Sequence, residues 1–231
     1  MIDSLQPLVT FLRGYHHKVG DGSLSDDLVP RDLPHPLRQI YLKFGKWTKP
    51  WSPLAAQNYL LPVEELVEED GYICFLRENQ NCWECWCRLG DDGVYCDSES
   101  GRGRKNAEQV HELIEQFLIS HCLLEAVMSS PEIVYLHDFK PPNEVIPVSW
   151  QELYMRGRFV DALSPLDFYF APDPGLMAMR TPLQDFWLAT YERGLNAMLN
   201  EDIEAMQVSP RPSGPYTYVG NSREPKKPEP D

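Results

Sequence analysis

Four cysteines lie close together in the sequence and could bind a metal or react as thiols. Cys82, Cys85 and Cys87 fall on one short segment, and Cys96 follows after eight intervening residues. Zinc requires thiolates in a tetrahedron, usually supplied by Cys-x2–4-Cys pairs, and this spacing does not give two such pairs. On a strand, Cys85 and Cys87 point the same way, whereas Cys82, at a turn, would have to fold back. Buried thiols without a cofactor are therefore the favoured interpretation. Zinc bound by the four cysteines is the weaker alternative.

Other catalytic arrangements are missing from the sequence. It contains no Gly-x-Ser-x-Gly elbow, no His-Glu-x-x-His motif and no phosphate-binding loop with its lysine. The six histidines are scattered, and His121 ends an apolar helical stripe, which is typical of a core residue. The sequence therefore predicts a protein that is not an enzyme.

Acidic residues are concentrated in one part of the chain. The formal net charge is −14, and residues 62–99 hold eleven acids and two bases, a net charge of −9. A field of this sign repels nucleic acid and accelerates encounter with basic proteins. Plain solubility is the alternative explanation of the charge. Nucleic acid is not an expected partner.

The acidic segment is predicted to form a three-stranded antiparallel meander. Asp70-Gly71 and the turn 90–93 separate short alternating segments, which is the pattern of consecutive strands. Ile73, Phe75 and Arg77 are predicted to share one face of the first strand.

Helices are predicted wherever apolar residues recur at helical spacing. These segments are 4–19, 37–44, 63–69, 107–126 with Asn106 as N-cap, 150–159 with Ser149 as N-cap, and 185–200. Short strands are predicted at 59–61 and 133–139, and a hairpin is predicted from 168–170 and 176–179.

Length and composition favour one domain. The 231 residues suffice for one well-buried core, assigned to 1–206, and the Pro-rich segment 207–231 is expected to be disordered. No apolar run reaches the roughly 20 residues of a membrane helix, and no secretory signal is visible at the N-terminus. A cytoplasmic protein with no membrane partner is therefore expected, and its oligomeric state stays open.

A series of short motifs follows in a fixed order between residues 30 and 127, with a C-terminal extension over 128–206. The motifs are Leu33-Pro34-x2-Leu37-Arg38-x2-Tyr41-x2-Phe44-Gly45, Leu61-Pro62, Phe75 with Glu78-Asn79-Gln80, Trp83 and Trp86, Val94-Tyr95, and Phe117-Leu118. Together they resemble the SUKH superfamily, of the Smi/Knr type.

The resemblance implies an α+β fold in which helices pack around a mainly antiparallel sheet. Bacterial members of the family look like immunity proteins that bind and neutralise polymorphic toxins, often nucleases, and no catalytic residues are attributed to them. An intracellular regulatory or scaffold protein of the same fold is the alternative. The resemblance also implies structural roles for Asn79 and Gln80, whose amides would bond within the turn.

Charge and resemblance together point to a protein partner, most simply a basic toxin domain. Trp86 is expected to pack in the core of the sheet, and it would be an aromatic anchor only if its face of the strand is exposed. The residues expected to contact the partner are Glu64, Glu65, Glu68, Glu69, Asp70, Glu84, Trp86, Asp91 and Asp92.

Overall fold

The computed structural model describes residues 1–97, 107–136, 150–160, 163–172, 175–182, 186–191, 208–210 and 216–219. Within these residues the chain forms three α-helices and two sheets, which are antiparallel except for one strand pair. The protein is therefore of the α+β class, as the sequence predicted.

The first two helices each bury one apolar stripe. Helix α1 (Leu5–Tyr15) is shorter than predicted, and α2 (His35–Phe44) matches its prediction. The buried face of α2 consists of the predicted side chains, Leu37, Ile40, Tyr41 and Phe44. Gly45 follows α2 with ordinary helical dihedrals, and a Cβ there would lie 2.2 Å from Leu24 Cδ1. Close packing, and not a left-handed backbone, therefore favours glycine at this position.

The first sheet contains the predicted meander. Its strands are β1 (Asn58–Leu60), β2 (Val67–Glu69), β3 (Tyr72–Glu78), β4 (Glu84–Arg88), β5 (Val94–Asp97) and β6 (Glu108–His111). The order is β1-β3-β4-β5-β6, and β2 pairs with β3 beside β1. Strands β1 and β2 therefore form one edge of the sheet, and β6 forms the other.

A bulge in β3 changes which side chains share a face of that strand, so the observed faces differ from the predicted ones. Cys74 pairs with Trp86, but Leu76 pairs with Cys85 and Arg77 with Glu84, so the register shifts at Phe75. The extra residue lets Phe75 and Leu76 both face the core, and Arg77 lies with Glu84. The prediction that Arg77 shares a face with Phe75 was wrong.

The second sheet lies in the C-terminal part of the chain. Its strands are β7 (Glu132–Leu136), β8 (Gln151–Gly157), β9 (Leu166–Ala171), β10 (Leu176–Arg180), β11 (Phe186–Thr190), β12 (Val208–Pro210) and β13 (Tyr216–Val219). The order is β12-β13-β7-β11-β10-β9-β8, with β13 and β7 parallel. Strands β12 and β13 lie within residues 207–231, the segment for which disorder was expected. The predicted hairpin is confirmed as β9 and β10.

The third helix, α3 (Ile114–Met128), lies between the two sheets and carries the core. Twelve of its 15 residues are buried, as expected of a helix covered on all sides. The Phe117 ring meets Phe75 of the first sheet at 6.0 Å and Phe159, which follows β8, at 4.8 Å. His121 is fully buried, as predicted, and burial lowers its pKa to about 3.

Two predicted helices in the N-terminal half are partly wrong. Residues 63–69 form a short 3-10 turn, Val63–Glu65, followed by β2. The second half is a strand because Val67 to Glu69 pair with the start of β3. Residues 108–111 form β6, which pairs with β5, so α3 begins only at Ile114. His111 Nδ1 accepts the Leu113 N–H at 3.0 Å just before that helix. The predicted N-cap, Asn106, lies outside the described residues.

Two predicted helices in the C-terminal half are strands where they are described. Residues 151–157 form β8 and pair with β9, and residues 186–190 form β11, between β7 and β10. Pairing with neighbouring strands overrides a helix-like spacing in both segments. The predicted cap Ser149 and residues 192–200 lie outside the described part of the chain.

Candidate protein-binding surface

Most of the acidic residues singled out in the sequence lie along one edge and one end of the first sheet. Glu64 and Glu65 lie in the 3-10 turn, Glu68 and Glu69 in β2, and Asp70 in the turn to β3. We call the acidic edge the set formed by Glu64, Glu65, Glu68, Glu69, Asp70, Asp91 and Asp92. Within the described residues, β2 pairs only with β3, so its outer backbone faces away from the sheet.

Two neighbouring turns bring the two parts of the acidic edge together. Asp70-Gly71 is a two-residue hairpin loop with φ values of 51° and 78°, the conformation for which Asp-Gly is favoured. The Leu89 N–H donates to the Gly71 carbonyl at 3.1 Å, which joins this loop to the turn between β4 and β5. Asp91 and Asp92 therefore lie at the same end of the sheet as Asp70.

The side chains of the acidic edge are accessible to solvent. All are exposed except Asp91, which is partly exposed. In the part of the chain that the structure describes, Glu64, Glu65, Glu68 and Glu69 make no ion pair. The field of these four side chains is therefore not neutralised by a described neighbour.

Asp91 is held in its turn by two hydrogen bonds. Its Oδ1 accepts the Gly93 N–H at 3.0 Å, and its Oδ2 accepts the Tyr95 hydroxyl at 2.9 Å. These bonds, led by the one from Gly93, lower the pKa of Asp91. The side chain therefore stays charged well below neutral pH.

Glu84 and Trp86 do not belong to this surface. Glu84 begins β4, at the other end of the strand from Asp91. Its Oε1 accepts a hydrogen bond from Arg77 Nε at 2.8 Å. The Trp86 side chain is 3% exposed and packs with Leu61 and Cys74. The condition for Trp86 to act as an anchor, an exposed face, is therefore not met.

Trp86 instead supports the acidic edge from the inside. Leu66, between Glu65 and β2, packs against the same cluster, as do Tyr72 and Tyr95. Those two tyrosines are partly exposed, and their rings meet edge to face at 5.3 Å. Arg88 lies 5.8 Å from the centre of the Tyr72 ring. Aromatic area next to the carboxylates thus comes from Tyr72 and Tyr95, which the sequence did not indicate as contact residues.

The turn between β3 and β4 is held by Glu78 and not by the predicted amides. Glu78 Oε2 accepts the backbone N–H of Gln80 at 2.7 Å and that of Cys82 at 3.2 Å. Gln80 is exposed, and Asn79 Oδ1 has no hydrogen-bond partner among the described residues. A carboxylate satisfies two N–H groups at once, which explains why the glutamate organises this turn.

The four cysteines of the weaker zinc alternative do not converge on one point. None of the six cysteines of the chain is in a disulfide; Cys85 and Cys87 face the core, Cys96 is partly exposed and Cys82 is exposed. Burial raises the pKa of Cys87 to about 12. Among the described residues, no group of three or more Cys, His, Asp or Glu side chains is placed to hold a metal.

Two further features were missed in the sequence. Glu125 is a fully buried carboxylate on α3, signalled only by its position inside the apolar run 122–127. Trp51 is 79% exposed with a left-handed φ of 68°, in a loop closed by a bond from its N–H to the Ala55 carbonyl at 2.9 Å. Periodicity could not reveal the exposure of Trp51, because it lies in an irregular loop.

The fold and this surface define an α+β protein with antiparallel sheets and an exposed acidic edge. Neither the family models, nor the curated proteins, nor the solved structures contain a match to this chain. None of the described helices has the length and hydrophobicity needed to cross a membrane.

Proposed function

We propose that this protein is a non-catalytic binding protein of the SUKH type, an immunity protein that neutralises a basic toxin domain, such as a nuclease, by direct contact. The observation that carries the proposal is the acidic edge. It combines exposed carboxylates on an edge strand with a second group of carboxylates in an adjoining turn.

Electrostatics makes such a surface suited to a basic partner. Like charges gathered on one side of a protein steer an oppositely charged partner and raise its association rate. A toxin that cleaves nucleic acid needs a basic surface for the phosphates of its substrate. An acidic inhibitor that binds this surface blocks access of the substrate, so neutralisation requires no chemistry from the inhibitor.

The structure around the acidic edge supports a defined contact. The Asp70-Gly71 loop is bonded to the next turn, and Asp91 is fixed by two hydrogen bonds. A rigid surface loses little conformational entropy when a partner binds. Tyr72 and Tyr95 supply aromatic area beside the charges, of the kind that contributes most to protein interfaces.

The proposal is tested by capture of the partner from the source cells. The tagged full-length protein is used as bait at about 50 mM and about 300 mM salt, because added salt shortens the range of exposed charges. We expect a basic protein to be captured at low salt and lost at high salt. When the captured partner is produced alone in a host cell, it should stop growth. Co-production of the bait protein should restore growth.

Other results would redirect the proposal. Capture of a partner that is harmless to the host would favour a regulatory or scaffold protein of the same fold. Capture that does not respond to salt would contradict a contact through the acidic edge.

A further inference from the structure

Cys85 and Cys96 lie directly opposite each other on neighbouring strands. They are register partners in the antiparallel pairing of β4 with β5, so their side chains project from the same face of the sheet. Burial raises the pKa of the Cys85 thiol, and the Cys96 side chain lies close enough to Cys85 to raise it further. Cys87 faces Val94 across the same pair of strands and has no thiol opposite it.

The hydrogen bonding of β4 determines how close this pair is. The Glu78 N–H donates to the Trp83 carbonyl, and the Leu89 N–H donates to the Gly71 carbonyl, both at 3.1 Å. The backbone polar groups of Trp83 and Leu89 therefore point towards β3 and its preceding turn. Along a strand, this direction alternates from one residue to the next. Cys85 lies two residues after Trp83 and four before Leu89, so its backbone polar groups also point towards β3 and away from β5.

Cys85 and Cys96 are consequently a non-hydrogen-bonded pair. In such a pair the Cα atoms are about 4.5 Å apart, closer than in a hydrogen-bonded pair. Disulfides span Cα separations of about 4.4–6.8 Å, so the two strands are already at a suitable distance. A bond between the two sulfurs needs rotation of side chains and no separation of strands.

The two thiols differ in their access to solvent. Cys85 is fully buried among core residues, and its burial, with Cys96 beside it, raises its pKa well above the ordinary value. Cys96 is partly exposed. Cys96 is therefore the more accessible of the two residues, and we expect an oxidant to react there first, with Cys85 as the second thiol.

We propose that Cys85 and Cys96 form a reversible disulfide, a redox modification site within the first sheet. A hydroperoxide transfers one oxygen atom to the sulfur of the Cys96 thiol, its O–O bond breaks, and a sulfenic acid forms with release of water or an alcohol. The Cys85 sulfur then attacks the Cys96 sulfur: the S–S bond forms, the S–O bond breaks, and the hydroxide leaves as water with the Cys85 proton. Two electrons pass from the thiols to the peroxide, and a dithiol reductant returns them.

The disulfide would close a loop that contains part of the acidic edge. Asp91 and Asp92 lie between the two cysteines, in the turn that joins β4 to β5. Oxidation would therefore fix this turn covalently. The modification does not depend on the proposed function, since it rests on the strand register alone.

Peptide mapping tests the proposal. The exposed Cys82 is first replaced, as Cys82→Ser, to prevent links between molecules, and the folded full-length variant is treated with hydrogen peroxide. Remaining thiols are alkylated before digestion with trypsin. Cleavage after Arg77, Arg88 and Arg102 separates peptide 78–88, with Cys85 and Cys87, from peptide 89–102, with Cys96.

We expect the two peptides to be recovered as a linked pair, about 2 Da lighter than their sum, and to separate after treatment with dithiothreitol. Adding Cys85→Ser should abolish the linked peptide pair. Cys87 is also buried and on the same face, and adding Cys87→Ser should leave the linked peptide pair intact. Fragmentation of the linked pair identifies the bonded cysteine even if Cys85→Ser does not fold.

Two results would overturn the proposal. One is Cys96 recovered as a free thiol or as its sulfinic acid, without a linked pair. The other is a link that runs through Cys87.

Discussion

Glu125 is a buried carboxylate that connects the central helix to the loop before the first sheet. Its Oε2 accepts the N–H groups of Ala56 at 2.7 Å and Gln57 at 2.8 Å, and its Oε1 accepts both Asn58 donors at 2.8 and 3.1 Å. Burial nevertheless outweighs these bonds and raises the pKa of Glu125 to about 7. The side chain therefore titrates close to neutral pH.

The stability of the protein should depend on pH through Glu125. A carboxyl group whose pKa is higher in the folded than in the unfolded protein favours folding when protonated, so its contribution is lost as the pH rises towards 7. The control is Glu125→Gln, which cannot titrate. Between pH 5 and pH 8, the free energy of unfolding of the native protein, relative to this variant, should fall by about 2–3 kcal/mol. Urea denaturation at both pH values measures the difference, and a constant or growing difference would disprove this role.

Side-chain exposure was the property that the sequence predicted least well at the scale of single residues. Trp86 and Tyr95 are register partners on one face, yet the first is buried and the second is partly exposed. The difference arises because Leu61 and Leu66 cover the Trp86 side chain. Those residues are distant in sequence from Trp86, so the alternation of its strand could not indicate the cover.

At the scale of elements, the edge strand β2 depends on the hairpin that follows it. Gly71 has a φ of 78°, and its absent Cβ would meet nothing within 4 Å. The demand for glycine there is thus conformational and not steric.

Replacing Gly71 by alanine should destabilise the protein, whereas replacing a helical glycine by alanine should stabilise it. Gly71→Ala should lower the free energy of unfolding by about 1 kcal/mol, because alanine is strained at positive φ. The matched control is Gly14→Ala, in the exposed part of α1 with open space around it, which should raise stability by about 0.5 kcal/mol. Chemical denaturation of both variants gives the comparison, and two effects of the same sign would contradict it.

Elements with strong local signals could be predicted, and those defined by distant pairing could not. The face of α2 and the Asp70-Gly71 turn follow from spacing and turn chemistry within a few residues. Strand β6 exists because β5 lies beside it, and β8 because β9 does. Such pairing is set by tertiary contacts, which explains why helical spacing was misleading in both segments.

At the scale of the whole molecule, one hydrophobic cluster extends from Ile2 to Ala189 and includes α3 and residues of both sheets. The charge is distributed differently, since the acidic edge lies on one side of the first sheet only. Composition could predict the excess of acid in residues 62–99. The folding of two separate groups of carboxylates onto one end of a sheet required the strand register.

The most direct test of the proposed function is charge reversal on the acidic edge, with the same change elsewhere as control. The edge variant carries Glu65→Lys, Glu68→Lys and Glu69→Lys. The control variant carries the same number of reversals at exposed acids away from this edge, one of them on the opposite edge strand β6: Asp27→Lys, Glu108→Lys and Glu152→Lys.

Capture of the basic partner at about 50 mM salt, quantified by mass spectrometry, then compares the three proteins. We expect the edge variant to retain less than about a tenth of the captured partner and the control variant to retain most of it, because only the first alters the contact. Equal capture by all three proteins, or equal loss from both variants, would contradict binding through the acidic edge.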